Sequence, residues 1–150
     1  MKAFRNSYPA YLFLYSFYFM STALFTTLIS VYLIGQQYSA SQVSHLVSMA
    51  FFLSMLAQPL FGYINERFGI VKITTLSLVV LMAGVGGFIW APNYFWLTIF
   101  YGLVLLCLNG TAPMMEVFAT QSPYAFGKIR VWGTLGYAAG AHLAGWLYAH

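Results

Sequence analysis

Glu116 and Arg130 are charged side chains set in apolar surroundings, and Tyr137 follows Arg130 by seven residues. Glu116 stands in the stretch Thr111-Ala-Pro-Met-Met-Glu116-Val-Phe, inside a long apolar run. An ionisable side chain in hydrocarbon costs roughly 2.5–3.5 kcal/mol on insertion scales, so it requires a partner or a wet cavity. Arg130 is placed to be that partner. If helices on either side of Pro123 fold back on each other, Glu116 lies seven residues before the apex and Arg130 seven after it. At about 1.5 Å of rise per residue, both groups then sit on the order of 10 Å in from the turn. Tyr137 comes two helical turns beyond Arg130, on nearly the same face and about 10 Å deeper. A guanidinium donates through a fork, a carboxylate accepts from hydroxyls, and an aromatic face packs on the C–H side of a sugar ring. Together they suit a polar, hydroxyl-bearing solute. They equally suit a structural ion pair beside a core tyrosine, and residue types alone leave both readings open.

Those residues must be held by membrane-spanning helices. Of 150 residues, 61% are hydrophobic, 20% aromatic and 5% charged. Soluble domains carry roughly a quarter of their residues as Asp, Glu, Lys and Arg to cover their surface, so the solvent for most of this chain must be a lipid bilayer. A spanning helix needs about 20 mostly apolar residues. Five such segments are expected, over 11–34, 43–64, 71–90, 94–120 and 129–148. The fold class is therefore all-α, a polytopic membrane protein. The links GQQYSAS, NERFGI, APN and QSPYAFGK hold the Gly, Pro, Asn and Ser that stop helices. With links this short and no shift in composition, the series reads as one domain of consecutive antiparallel neighbours. The first run, about 8–34, is too long for the roughly 7–15-residue core of a secretory signal.

Orientation follows from the basic residues, which are retained in cytoplasmic loops. Lys2 and Arg5 precede the first helix, Arg67 and Lys72 lie between the second and third, and Lys128 and Arg130 lie between the fourth and fifth. All six fall on one side, which places the amino terminus in the cytoplasm. Trp90, Tyr94 and Trp96 flank an outer link, as interfacial aromatics do. The series stops at His150 after an odd number of helices, which suggests a piece of a longer chain.

Other chemistries lack their residues. The net charge of +4 is spread along the chain without a basic stripe, so no nucleic-acid partner is expected. Cys107 is the only cysteine, which rules out an intrachain disulfide or a thiolate cluster. His45 and His142 have no second ligand at metal spacing, and no metal or cofactor is expected. No HExxH, P-loop, nucleophile elbow or CxxC is present, so an enzyme is not expected. Gly133, Gly136 and Gly140 recur on the fifth helix in a small-xxx-small pattern that reads as close helix packing.

Between the second and third helices stands Gly62-Tyr-Ile-Asn-Glu66-Arg67-Phe-Gly69-Ile-Val-Lys72. It resembles the cytoplasmic loop motif of the major facilitator superfamily: a Gly, an acidic–basic pair four and five positions on, a Gly and a basic residue. Glu66 stands where that motif usually has Asp. The glycines would allow a tight turn, and the charges would bind helix ends in one of a transporter's two states. Further on, Ala112-Pro113-x-x-Glu116-x-Phe118 and Phe126-Gly127-Lys128-x-Arg130-x-Trp132-Gly133-x-x-Gly136-Tyr137-Ala138 resemble the lactose permease branch, the oligosaccharide:proton symporters.

That resemblance implies substrate-binding positions at Glu116, Arg130, Tyr137 and Ala112. In the family the acid and the arginine bind sugar hydroxyls, and an aromatic stacks on the pyranose ring. It is typically Trp, where this chain has Tyr137. The resemblance covers only the family's amino-terminal half. It implies a multi-pass protein of the cell membrane, a missing carboxy-terminal half as partner, a proton as coupling ion, and no activity for the piece alone. The same motifs resemble relatives that carry nucleosides or phenylpropionate, and a non-transporting membrane fragment is the remaining alternative.

Overall fold

The structure is a computed structural model that describes residues 7–149. Lys2, Arg5 and His150 lie outside the described residues, and so does the part of the orientation reading that rests on the first two. Five α-helices follow one another: α1 (Tyr8–Gly35), α2 (Ala40–Phe68), α3 (Ile70–Ile89), α4 (Tyr94–Thr120) and α5 (Phe126–Ala149). By length and composition, α1 to α4 are each apolar enough to cross a membrane. At 24 residues α5 is also long enough, at roughly 36 Å. Its glycines, its aromatics and His142, together with Lys128 and Arg130, leave it without the long apolar stretch that the other four contain.

Several helices run further than their apolar stretches. Ser7 is extended (φ −86°, ψ 150°) and Pro9 falls in the first turn of α1, where its missing N–H costs no helical bond. At the other end Gln37 takes a left-handed φ of 69°. The Tyr38 amide donates to the Leu33 carbonyl at 3.1 Å and the Gln37 amide to that of Ile34 at 3.0 Å. This pair of reversed bonds satisfies the last carbonyls of the helix. The α2 helix continues through Asn65-Glu-Arg-Phe68, a stretch whose three polar residues read as a link in sequence but which takes helical geometry here.

By contacts between its residues the chain divides into two compact units, Met1–Ser39 with Met115–His150, and Ala40–Met114. In the first unit, α1 and α5 run parallel in a fixed register. The Tyr8 hydroxyl donates to the Lys128 carbonyl, Gly136 lies against Ser16 and Gly140 against Met20, each pair 120 positions apart. The buried stripe of α5 is Ile129, Gly133, Gly136, Gly140 and Ala144, spaced at helical period. A methyl built on Gly136 would stand 2.7 Å from Ser16 Cα, with the Ser16 carbonyl oxygen nearer still. Only a hydrogen fits at that crossing, and the small residues let the two backbones meet. Ser16 Oγ adds a bond to the Trp132 carbonyl at 3.2 Å. Short links suggest that each helix leans on its sequence neighbour, but within this unit the tight partner of α1 is the most distant helix.

In the second unit, α2 and α3 are joined by Gly69 alone. Gly84 and Gly87 of α3 face Val104 and Phe100 of α4, and Gly110 of α4 faces Phe61 of α2. Asn109 Nδ2 donates to Ser54 Oγ at 3.0 Å, and Thr74 Oγ1 to Met114 Sδ at 3.1 Å. In an apolar interior such polar side chains must find partners across helices.

Candidate functional site

The first unit holds a cavity of about 250 Å³ lined by Phe19, Glu116, Arg130, Gly133, Thr134 and Tyr137. Three helices supply the wall: Phe19 comes from α1, Glu116 from the last turns of α4, and the other four from α5. On α5 the residues Arg130, Thr134 and Tyr137 recur at i, i+4 and i+7, which forms an exposed stripe one residue round from the buried glycine stripe. The packing stripe and the cavity stripe therefore adjoin, and Gly133 belongs to both.

Arg130 Nη1 donates to Glu116 Oε2 at 3.2 Å, which joins the two helices across the turn. The contact uses one nitrogen and one oxygen, not the parallel fork that makes the strongest pairs. Their side chains are 61% and 37% exposed. That much access limits the pair to about 1 kcal/mol or less, so the contact can open cheaply. The Arg130 guanidinium also lies over the Phe126 ring, 5.5 Å from its centre, one turn back on the same helix. Tyr137 is 45% exposed and lines the same cavity, which sets its ring beside the charges.

The wall is braced from α1. The Tyr15 hydroxyl, fully buried, donates to the Met115 carbonyl at 2.7 Å, immediately before Glu116 in the chain. Beneath the turn between α4 and α5, Trp132 Nε1 donates to the Tyr8 hydroxyl at 2.8 Å, and the Tyr8 and Tyr11 rings pack edge-on against Tyr124. These contacts pin the start of α5 to the start of α1.

Of the four binding positions drawn from the sequence, Glu116, Arg130 and Tyr137 come together in one cavity. Ala112 is half-buried on α4 and is not part of the lining. Thr134, Gly133 and Phe19 were not singled out as lining residues. Helical spacing from Arg130 would have found Thr134. Nothing local marks Phe19, because its place depends on α1 meeting α5.

In the loop motif only Gly69 makes the turn, at φ 90°, which L side chains rarely adopt. Gly62 sits inside α2 with open space around it. Glu66 and Lys72 are exposed, while Arg67 turns back along its own helix to the Tyr63 hydroxyl at 3.4 Å. Asn65 Nδ2 donates to the Phe61 carbonyl at 2.6 Å, and its buried Oδ1 has no hydrogen-bond partner among the described residues. No three of His, Cys, Asp and Glu gather as metal ligands among the described residues.

A family model described as "MFS_1 like family" matches residues 8–150. A sucrose permease of Escherichia coli is 28% identical over 156 residues, an alignment that covers 95% of this chain. The chain spans 38% of the length of that permease. No solved structure matches the chain.

Proposed function

We propose, from the premise that this chain belongs to the MFS_1 like family of the major facilitator superfamily, that its helices form part of a proton-coupled symporter of a sugar or oligosaccharide. The observation that carries the reading is the Glu116–Arg130 pair at 3.2 Å, held beside Tyr137 in one cavity. A solute with vicinal hydroxyls can donate to the carboxylate and accept from the guanidinium, while its C–H face lies on the tyrosine ring. The likeness to a sucrose permease supports a sugar over other polar solutes. Complete ligand sites enclose roughly 300–1,000 Å³. The cavity, at about 250 Å³, is the size of part of such a site. In transporters of this kind the remaining wall comes from a second bundle, and rocking of the two bundles gives alternating access. The positive-inside distribution of the basic residues supports a cytoplasmic amino terminus in the cell membrane.

The test is uptake of radiolabelled sucrose by cells that express the complete protein. Glu116→Gln and Arg130→Lys each remove a charged or forked hydrogen bond to the solute, with an expected loss of about 10–100-fold in uptake efficiency. Alkalinisation of the medium on addition of sugar would report the accompanying proton. Wild-type uptake by both variants would overturn the binding assignment. Inhibition of uptake by a nucleoside but not by any sugar would replace the substrate class, since Phe19 and Tyr137 also suit a flat ring.

A further inference from the structure

Tyr15 touches the cavity wall in three places without lining it. Its hydroxyl bonds the Met115 carbonyl, one residue before Glu116. Its ring edge lies 3.0 Å from where a Gly133 side chain would begin, and the ring packs at 5.5 Å against Phe19. Glu116, Gly133 and Phe19 are wall residues from three different helices. The bond reaches α4 two residues after Pro113, which has no N–H to donate to the preceding turn. The Asn109 carbonyl therefore lacks its helical partner, and the ladder of α4 is interrupted just before the turn that bears Glu116. Phenylalanine would fill the Tyr15 site with the same ring, so packing alone does not call for the hydroxyl.

We infer that Tyr15 is a positioning residue that tethers the Glu116-bearing turn of α4 from behind the cavity and so sets the carboxylate opposite Arg130. The inference rests on the transport reading for its uptake measurement but not for its chemical one. Removing the hydroxyl frees the turn to shift, so the solute meets a carboxylate spread over more positions. The ion pair forms less of the time, and the translocation machinery is otherwise intact.

Tyr15→Phe is compared with Tyr101→Phe, which removes a hydroxyl from a similarly buried tyrosine that is not among the residues lining the cavity. In sucrose uptake by the complete protein, Tyr15→Phe should raise KM about five-fold, the worth of one hydrogen bond, and leave Vmax per transporter within two-fold. A tyrosine that served only stability would lower the amount of protein in the membrane, and hence total Vmax, at unchanged KM. Independently of any sugar, Glu116→Cys gives a probe of the turn, since the natural Cys107 is buried. Its alkylation by a water-soluble maleimide should quicken several-fold when Tyr15→Phe is added, and not when Tyr101→Phe is added. Unchanged KM together with unchanged alkylation overturns the inference. If Glu116→Gln transports normally, the sugar-site reading fails, and the alkylation result alone decides whether Tyr15 positions the turn.

Discussion

Gly136→Ala puts a methyl against the main chain of Ser16, where no side-chain rotation can make room. The new carbon would stand 2.7 Å from Ser16 Cα and 2.8 Å from its carbonyl carbon, against an ordinary contact that begins near 3.4 Å. The two helices must therefore separate by at least 3.4 − 2.7 = 0.7 Å at that crossing. Separation of that size would stretch the Ser16–Trp132 hydrogen bond, now 3.2 Å, beyond useful length. Overpacking of a close-fitting core costs about 1–3 kcal/mol, and the lost bond about 1 kcal/mol more. A loss of roughly 2–4 kcal/mol in stability is expected from these terms together. Thermal unfolding in detergent, read by the loss of monodisperse protein, measures it. Gly145→Ala is the matched control, since a side chain there meets nothing within 4 Å. It should be neutral or slightly stabilising through helix propensity, worth up to about 1 kcal/mol. If Gly136→Ala unfolds with the wild type, or if the two alanines destabilise equally, the close parallel packing of α1 on α5 is wrong.

Gly69→Ala has open space for its methyl but must hold φ near 90°, so its whole cost is backbone strain, about 1–3 kcal/mol in the same unfolding assay. Asn109→Ala removes the bond to Ser54 between α4 and α2 and should cost about 0.6–2 kcal/mol. A double-mutant cycle with Ser54→Ala should return a coupling near 0.6 kcal/mol, and a coupling of zero would deny the bond any part in joining the helices.

The membrane class and the helix count were legible because hydrophobic run length is a one-dimensional signal. The Glu116–Arg130 contact was legible for a related reason: two charges equidistant from a short turn can be paired by counting rise per residue. Phe19 and Tyr15 were not legible. Both act through the α1–α5 crossing, and no local pattern in α1 states which helix it will lie against. Gly136 and Gly140 announced a close approach on α5 but not its partner. The end of α2 is a different case, where the helix runs four residues past the expected span. Asn65, Glu66 and Arg67 are polar and turn-like in composition, yet they stay helical and a single Gly69 at positive φ suffices to reverse the chain.

The register of 120 positions between α1 and α5 also bears on how the chain is made. Synthesis at about 5–20 residues per second means that α1 enters the bilayer roughly 6–24 s before its partner stretch exists. During that interval the face carrying Ser16 and Met20 has no glycine groove to enter. The nascent protein must shelter it against lipid, the translocation machinery or a provisional neighbour. Assembly of the cavity is therefore a late event, completed when the fifth helix slides in beside the first.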